Sequence, residues 1–179
     1  MKIIALTALM LILTTSGIVV DFGKKGNVNN WNIVNDGVMG GLSQSKAKVY
    51  KEYVEFGGEV SLDNNGGFAS FCSPYGEYDL SDYAQVEIKY ALDGQPCALT
   101  FENDYRYYFP NHKTFLPVTE GEWKVMTISL TDFEKYRMGV KQGVKMTEDQ
   151  LKSITRMRFI VANKKAGKFN LKVDYLKFS

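Results

Sequence analysis

The sequence predicts an all-β protein, a two-sheet β-sandwich or jelly roll with one or two short helical turns. The main observation is that apolar and polar residues alternate in six separate segments, which is typical of half-buried strands. The 16 glycines are spread along the chain between these segments, as turns between strands require. Helix-capping patterns, in contrast, are few.

Each of the six segments predicts a strand whose apolar positions share one face. Short strands separated by turn residues are typical of sandwiches and jelly rolls. The apolar positions, in chain order, are Val54, Phe56, Val60 and Leu62; Val86, Ile88, Tyr90 and Leu92; Cys97, Leu99 and Phe101; Met126, Ile128 and Leu130; Met157, Phe159 and Val161; and Phe169, Leu171, Val173 and Tyr175.

Turn and helix signals lie between these segments. Asp63-Asn64-Asn65-Gly66 and Asp93-Gly94 predict β-hairpins, because Asn-Gly and Asp-Gly suit the primed turns that join antiparallel strands. Thr147-Glu148-Asp149-Gln150 has the pattern of a capping box and predicts a helix that continues into Leu151. Thr131-Asp132-Phe133-Glu134 predicts one more helical turn.

Residues 1–17 have the features of a secretory signal peptide. Lys2 precedes an apolar run over residues 3–13, and the small residues Thr15-Ser16-Gly17 follow it. The run is shorter than the roughly 20 apolar residues of a transmembrane helix. We therefore expect a single domain over residues 18–179, exported to the periplasm or the extracellular space and without a transmembrane segment. The alternative is a buried N-terminal strand or an uncleaved anchor.

The charge balance disfavours two classes of partner. The formal net charge is +2, and the basic residues are scattered along the chain. Nucleic-acid binding normally needs a basic face, and a polybasic membrane contact needs a run of basic residues. We therefore expect no nucleic-acid partner.

Cys72 and Cys97 are the only cysteines, and they form no C-x-x-C pair. In an exported chain they can form one disulfide, which would stabilise the fold by roughly 3–4 kcal/mol. The alternative, two buried free thiols, is equally compatible with the sequence.

Catalytic patterns are absent from the sequence. The only histidine, His112, follows Pro110-Asn111 in a predicted loop, where we expect it to be solvated. The sequence contains no nucleophile elbow, phosphate loop or dinucleotide-binding motif. We therefore predict a protein that is not an enzyme and that needs no cofactor; a pair of carboxylates brought together in space is the remaining enzymatic alternative.

One metal site is compatible with the sequence. Asp21 ends the first predicted strand and Asp174 lies in the last, and terminal strands are often neighbours in β-sandwiches. Their carboxylates would supply oxygen ligands for a structural calcium ion. The alternative is a pair of exposed acids at strand ends.

An aromatic cluster is the candidate ligand-binding site. It contains Tyr105, Tyr107, Tyr108 and Phe109, with Trp123 nearby in sequence. Aromatic rings on a sheet bind sugar rings, and they also anchor protein partners because they bury a large area at low entropic cost. The alternative is that these rings fill the sandwich and its rim.

A segment rich in turn residues begins at Trp31 and continues through Asn35-Asp36-Gly37-Val38-Met39-Gly40-Gly41-Leu42-Ser43. The Asn-Asp-Gly triplet predicts a turn, in which Gly37 tolerates positive φ, and Gly40-Gly41 permits close approach of the backbone. We expect Asp36 to accept backbone amide hydrogens and to hold its loop beside Gly66-Gly67. We expect Met39 to be an adaptable apolar contact at the rim.

The segment from Asn35 to Ser43 resembles the motif of the complex I intermediate-associated protein family. Four further segments match that family in the same order, so the resemblance covers nearly all of the predicted mature chain. They are Gly66-Gly67-Phe68-Ala69-Ser70, Gly121-Glu122-Trp123, Ile128-Ser129-Leu130-Thr131-Asp132-Phe133 and Gly167-Lys168-Phe169-Asn170-Leu171-Lys172-Val173-Asp174.

The resemblance implies a galactose-binding-like jelly roll that is related in shape to carbohydrate-binding modules. It also implies a non-enzymatic assembly factor that binds other proteins, as the mitochondrial members do. Our first functional hypothesis is therefore an exported protein-interaction or assembly module. The alternative is a carbohydrate-binding module that recognises glycans through its exposed aromatic residues.

Overall fold

The computed structural model describes residues 17–23, 28 and 30–179, and the strands within them form two antiparallel sheets. Apart from Gly17, the predicted signal peptide lies outside the described residues. In chain order the strands are β1 (Val19–Asp21), β2 (Asn32–Asn35), β3 (Gln44–Val49), β4 (Val54–Val60), β5 (Ala69–Cys72), β6 (Gln85–Gly94), β7 (Cys97–Glu102), β8 (Asn111–Leu116), β9 (Lys124–Ser129), β10 (Glu134–Arg137), β11 (Val140–Lys145), β12 (Arg156–Val161) and β13 (Gly167–Phe178).

The two sheets differ in size and strand order. The six-stranded sheet runs β3-β4-β13-β6-β9, and β1 pairs with the far end of β13. The seven-stranded sheet runs β11-β10-β8-β7-β12-β5-β2. The prediction of an all-β, two-sheet sandwich is therefore confirmed.

The hydrophobic core fills the space between the sheets. The inward positions are those that the period-2 pattern predicts, such as Phe56 in β4, Leu99 in β7 and Phe159 in β12, all fully buried. The rings of Phe101 and Phe133 stack with centroids 4.5 Å apart. Burying one side chain of this size stabilises the fold by roughly 1.5–3 kcal/mol, so the core supplies the main driving force for folding.

Both hairpin predictions were wrong. The turn after β4 and the turn after β6 each connect the six-stranded sheet to the seven-stranded sheet, so the flanking strands do not pair with one another. The turn chemistry is nevertheless present, since φ is +54° at Asn64, +59° at Asn65 and +77° at Gly94. These residues reverse the chain direction, but the packing of the core decides which sheet receives the next strand.

The helical elements whose bounds the structure describes are short. The α-helix α1 covers Glu148–Leu151, and the backbone amide of Thr147 donates a hydrogen bond to Gln150 Oε1 over 3.0 Å, as in a capping box. A 3-10 turn covers Leu130–Asp132, close to the second predicted helical turn. Across the described ranges, no helix has the length and apolar content that crossing a membrane requires.

The two cysteines do not form the disulfide that one alternative predicted. Cys97 in β7 points into the core, whereas Cys72 in β5 points away from it on the other face of the same sheet. Strand β12 separates them, which places their strands about 10 Å apart. Both are buried free thiols, since a disulfide needs Cα atoms within about 7 Å.

The prediction of a solvated loop for His112 was also wrong. His112 lies in β8 opposite Phe101 and is buried on the core side of the sheet. Neither ring nitrogen has a hydrogen-bond partner among the described residues. Burial, reinforced by the charge of Lys135, lowers the pKa of His112 to about 4, so the ring is neutral near pH 7.

Candidate functional site

The segment that connects β2 to β3, residues 36–43, is called the motif loop below. It begins with a 3-10 turn over Asp36–Met39, and the Asp36 carboxylate is buried beneath it. That carboxylate accepts hydrogen bonds from the Ser43 amide (2.9 Å), the Ser43 hydroxyl, the Gly67 amide (2.6 Å) and the Phe68 amide (3.1 Å). Asp36 thus joins the motif loop to the segment before β5.

The charge state of Asp36 follows from these contacts. Burial by itself would raise the pKa of Asp36. Hydrogen bonds from the Ser43 hydroxyl and from the three backbone amides outweigh burial and hold the pKa below its ordinary value of 3.8. The carboxylate is therefore ionised at neutral pH, which strengthens each of its hydrogen bonds.

Two glycines leave room for this carboxylate. A Cβ atom on Gly41 would lie 2.5 Å from Asp36 Oδ1, and one on Gly66 would lie 2.7 Å from Asp36 Oδ2. Gly40 ends the 3-10 turn with a φ of +88°, and Gly67 has a φ of +139°. The positive φ that the turn requires is therefore at Gly40, whereas Gly37 has an ordinary φ and open space around it.

The remaining predicted residues of this segment are structural. Trp31 packs against Phe22 and Phe71 with ring centroids 5.0 and 5.1 Å away. The Asn35 side chain accepts a hydrogen bond from the Ser45 hydroxyl over 2.7 Å. These contacts join β2 to the core and to the first residues of β3.

The motif loop exposes apolar side chains on its outer side. Val38 and Met39 are 73% and 65% exposed, and Leu42 is also exposed. Leu62, on the turn after β4, is a further exposed apolar residue near Gly67. Exposed apolar residues grouped in this way are typical of contact surfaces.

A second candidate surface is the outer face of the seven-stranded sheet. The strand register aligns one residue from every strand across this face, and we call this line the cross-strand row. From one edge to the other it contains Asn32, Cys72, Arg158, Thr100, Lys113, Glu134 and Lys145.

Charged groups occupy the middle of the row. The Arg158 guanidinium forms an ion pair with Glu102, with Nη2 and Oε1 2.8 Å apart. The ammonium group of Lys113 lies over the ring of Tyr136, 4.1 Å from its centroid. Lys113 is only 9% exposed, and burial together with the charge of Arg158 lowers its pKa. A lysine so deeply placed on an outer face is unusual.

Several buried polar atoms on this face have no hydrogen-bond partner within the described part of the chain. They are Thr100 Oγ1, Arg158 Nε and Asn111 Oδ1. Buried polar atoms in folded proteins are almost always paired with protein, water or ligand. These atoms have almost no contact with solvent, so they lie beneath the face and are not themselves contact points for a bound molecule.

Two pairs of aromatic rings flank the row. Tyr75 and Tyr105 lie with centroids 5.0 Å apart, and the Arg156 guanidinium packs on Tyr75 at 4.4 Å. Phe115 and Tyr136 form the second pair, with centroids 6.4 Å apart. The polar middle of the face thus has rings on more than one side.

The predicted aromatic cluster is divided between two surfaces. Tyr105, Tyr107 and Tyr108 lie on the loop between β7 and β8, and all three are exposed. Trp123 precedes β9 in the six-stranded sheet and packs edge-on against Tyr53 with centroids 5.5 Å apart. Sequence proximity placed Trp123 with the tyrosines, but the turn before β9 carries it to the other sheet.

The predicted calcium ligands have other contacts. The Asp174 carboxylate lies 2.7 Å from the Lys89 ammonium group, and the Asp21 carboxylate accepts a hydrogen bond from the Gly23 amide. Calcium takes about six to eight oxygen ligands, and a lysine at that distance would compete with a bound cation. A calcium site there stays a prediction.

The described residues contain no group of three or more His, Cys, Asp and Glu side chains that could hold a metal ion. The outer face of the seven-stranded sheet instead supplies hydrogen-bonding groups, positive charge and aromatic rings.

Of the residues on and beside this face, Tyr105 was predicted as a ligand-binding aromatic and Cys72 only as a possible disulfide partner, whereas the charged and polar residues were not predicted. The sequence contained one signal for them, because Arg156 and Arg158 alternate with apolar Met157 and Phe159 and so must point outward. Lys113 and Thr100 gave no such signal, since their role depends on pairing between distant segments.

Solved structures with a similar fold include carbohydrate-binding proteins. A family 11 carbohydrate-binding module of Clostridium thermocellum, in complex with a β-1,3-1,4-mixed-linked tetrasaccharide, aligns with a TM-score of 0.66 at 16% identity, covering 92% of this chain and 96% of that chain. The family 11 module of the cellulase Lic26A-Cel5E from the same organism aligns with a TM-score of 0.64 at 15% identity, covering 90% of this chain and 93% of that chain. An agarase aligns with a TM-score of 0.55 at 13% identity, and the alignment covers 92% of this chain but only 25% of the agarase chain.

A search of curated protein sequences finds no match. The family model of Complex I intermediate-associated protein 30 matches residues 20–173, which span both sheets and the motif loop. The chain therefore belongs to the Complex I intermediate-associated protein 30 family.

Proposed function

We propose that this protein is a non-catalytic module that binds a glycan on the outer face of its seven-stranded sheet. The observation that carries the proposal is the grouping of aromatic rings with cationic side chains on that face, with Tyr105 beside Tyr75 and Lys113 beside Tyr136. Aromatic rings pack against sugar rings, and cationic side chains donate hydrogen bonds to sugar oxygens, so the two kinds of group together suit a glycan.

The aromatic rings around the row support the same ligand. Tyr105 is 61% exposed and is backed by Tyr75, so one of its faces is available to a sugar ring. The likeness in fold to the family 11 modules adds support, because one of them was solved with a bound tetrasaccharide. Export through the predicted signal peptide would bring the protein to where polysaccharides occur.

Affinity electrophoresis through gels that contain single polysaccharides tests the proposal. The panel includes mixed-linkage β-1,3-1,4-glucan, agarose, xylan and polygalacturonate. We expect at least one polysaccharide to retard the protein, and Tyr105→Ala to weaken that retardation about tenfold through loss of ring contact. Trp123→Ala removes an exposed ring from the other sheet and is the matched control.

Two outcomes would overturn the proposal. The first is a wild-type protein that no polysaccharide in the panel retards. The second is retardation that Trp123→Ala abolishes and Tyr105→Ala leaves intact, which would move the site to the six-stranded sheet.

A second candidate is protein binding through the motif loop, as the family resemblance implies. The exposure of Val38 and Met39 favours it, because a largely exposed valine and methionine contribute little to folding. A Val38→Ser, Met39→Ser double variant should lose a partner captured from cell-envelope extract while keeping the wild-type melting temperature. Equal capture by both proteins would exclude the motif loop as the contact.

A further inference from the structure

We propose that the glycan is acidic, with a carboxylate or sulfate group held between Lys113 and Arg158. This inference rests on the proposed function and names the class of ligand for the same face. The physical basis is an excess of positive charge at the middle of the cross-strand row.

Ion pairs neutralise the β10–β11 edge of the face. Lys141 lies 2.6 Å from the Glu134 carboxylate, and Lys145 lies 2.5 Å from the Asp132 carboxylate. Glu134 is the residue directly opposite Lys113, but its carboxylate is engaged by Lys141. It therefore does not form an ion pair with Lys113.

The middle of the face carries three cations and one carboxylate. Arg158 pairs with Glu102, which leaves Lys113 and Arg156 without an acidic partner among the described residues. The Arg156 guanidinium donates its hydrogen bonds to the neutral oxygens of Ser73, Tyr75 and Asn32. The face therefore keeps a net positive charge around the row.

Lys113 is a cation on this face whose contacts are with aromatic rings. Its ammonium group has ring contacts with Tyr136 at 4.1 Å and Phe115 at 5.2 Å, but no oxygen acceptor within the described part of the chain. The side chain is 9% exposed and its nitrogen is not one of the fully buried polar atoms, so an anion in solution can reach it. Burial and the charge of Arg158 lower the pKa of Lys113, so a bound anion would favour its charged form.

The spacing suits one anionic group. Lys113 and Arg158 both lie opposite Thr100, one on each neighbouring strand, so their Cα atoms are about 10 Å apart. Their long side chains can converge on one anionic group placed above Thr100. Arg158 uses Nη2 for Glu102, and its Nη1 donates no hydrogen bond to the described residues, so Nη1 is the donor left for that group.

The test compares polysaccharides of the same backbone with and without charge. Isothermal titration calorimetry in about 0.15 M salt, which screens long-range attraction, would measure polygalacturonate against its methyl ester and dextran sulfate against dextran. We expect one charged member to bind at least about tenfold more tightly than its neutral counterpart. Preferential binding of polygalacturonate would show that the site takes a carboxylate, and preferential binding of dextran sulfate would show that it takes a sulfate.

Three variants test whether Lys113 causes the preference for the charged polysaccharide. Lys113→Met should abolish it without unfolding the protein, because an apolar chain suits the buried site. Lys113→Arg keeps a cation and should retain the preference. Lys46→Met, which removes an exposed lysine from the six-stranded sheet, is the control for non-specific charge and should change nothing.

The failures of the two proposals are distinguishable. If neutral polysaccharides bind as tightly as charged ones, the acidic ligand is excluded while glycan binding stands. If Lys46→Met weakens the charged ligand as much as Lys113→Met does, the preference comes from general surface charge and the inference is wrong. If neither class binds, the proposed function itself fails.

Discussion

The Asp36 carboxylate and the Gly67 amide nitrogen lie 2.6 Å apart, although 31 residues separate them in the chain. The same carboxylate also accepts the amide hydrogen of Ser43, the residue before β3. Strand β3 belongs to the six-stranded sheet, whereas Gly67 precedes β5 of the seven-stranded sheet. One buried side chain therefore links the two sheets at this end of the sandwich.

Asp36→Ala should destabilise the protein by about 3 kcal/mol, because it leaves several buried backbone donors without an acceptor. Urea denaturation of the wild type and the variant would measure the loss. Asp82→Ala, at an exposed aspartate, should change the free energy of unfolding by less than about 0.5 kcal/mol. A similarly small effect of Asp36→Ala would mean that the hydrogen bonds to Asp36 contribute little.

The glycines around Asp36 should respond to alanine in a graded way. Gly41→Ala places a Cβ atom 2.5 Å from Asp36 Oδ1 and should be the most damaging. In Gly40→Ala the added Cβ atom has no neighbour within 4 Å, but alanine would have to adopt a φ of +88°. We therefore expect the free energy of unfolding to fall by about 1 kcal/mol. Gly37→Ala has neither a steric clash nor a positive φ, so it should be neutral or slightly stabilising.

Thermal unfolding of the three glycine variants would establish their order. If Gly37→Ala were as destabilising as Gly41→Ala, the close approach to Asp36 would not explain the requirement for glycine at position 41.

The strand faces could be predicted from the sequence because side-chain direction along a strand has a period of two. In β12 this rule correctly sends Met157 and Phe159 inward and Arg158 outward. The prediction for His112 was wrong because Pro110-Asn111 resembles a loop and because a polar ring is not expected at an inward position. Local rules cannot indicate that the core accepts this ring.

The pairing of strands could not be predicted in the same way. The Asp63–Gly66 segment has the residues of a hairpin turn, but β4 pairs with β3 and β13. The cross-strand row depends on this kind of long-range pairing, since Thr100, Lys113 and Arg158 come from three separate segments. The position of Asp36 was easier to predict, because Asn-Asp-Gly and the two Gly-Gly pairs are local turn signals.

Both cysteines should be free and unreactive in the folded protein. Burial raises the pKa of Cys97 to about 12, and burial also raises the pKa of Cys72 despite a hydrogen bond with Ser70 and the nearby arginines. Thiol titration without reductant should detect two thiols after denaturation and almost none before it. A reductant should leave the melting temperature unchanged. A denatured protein that has lost its thiols would indicate the disulfide instead.

His112 should make stability depend on pH between about 6.5 and about 4. The unfolded chain protonates this ring near its ordinary pKa of 6.5, whereas the folded protein does so only near a pKa of about 4. The unfolded state therefore binds more protons in this window, so the free energy of unfolding falls as the pH falls, by up to roughly 3 kcal/mol. Asp36 acts separately, since its stabilisation is complete above pH 3.8 and is lost as the pH falls below that value.

Two substitutions of His112 separate the effect of protonating the ring from the cost of burying a polar group. His112→Leu should flatten the pH dependence in this window and also raise the stability at pH 7, because it removes two buried nitrogens that have no hydrogen-bond partner among the described residues. His112→Gln should flatten the pH dependence without that gain, since it keeps a polar group in the core. Urea denaturation at pH 4.5 and pH 7.5 would measure both effects. A His112→Leu variant that loses stability with falling pH as steeply as the wild type would show that other groups cause the dependence.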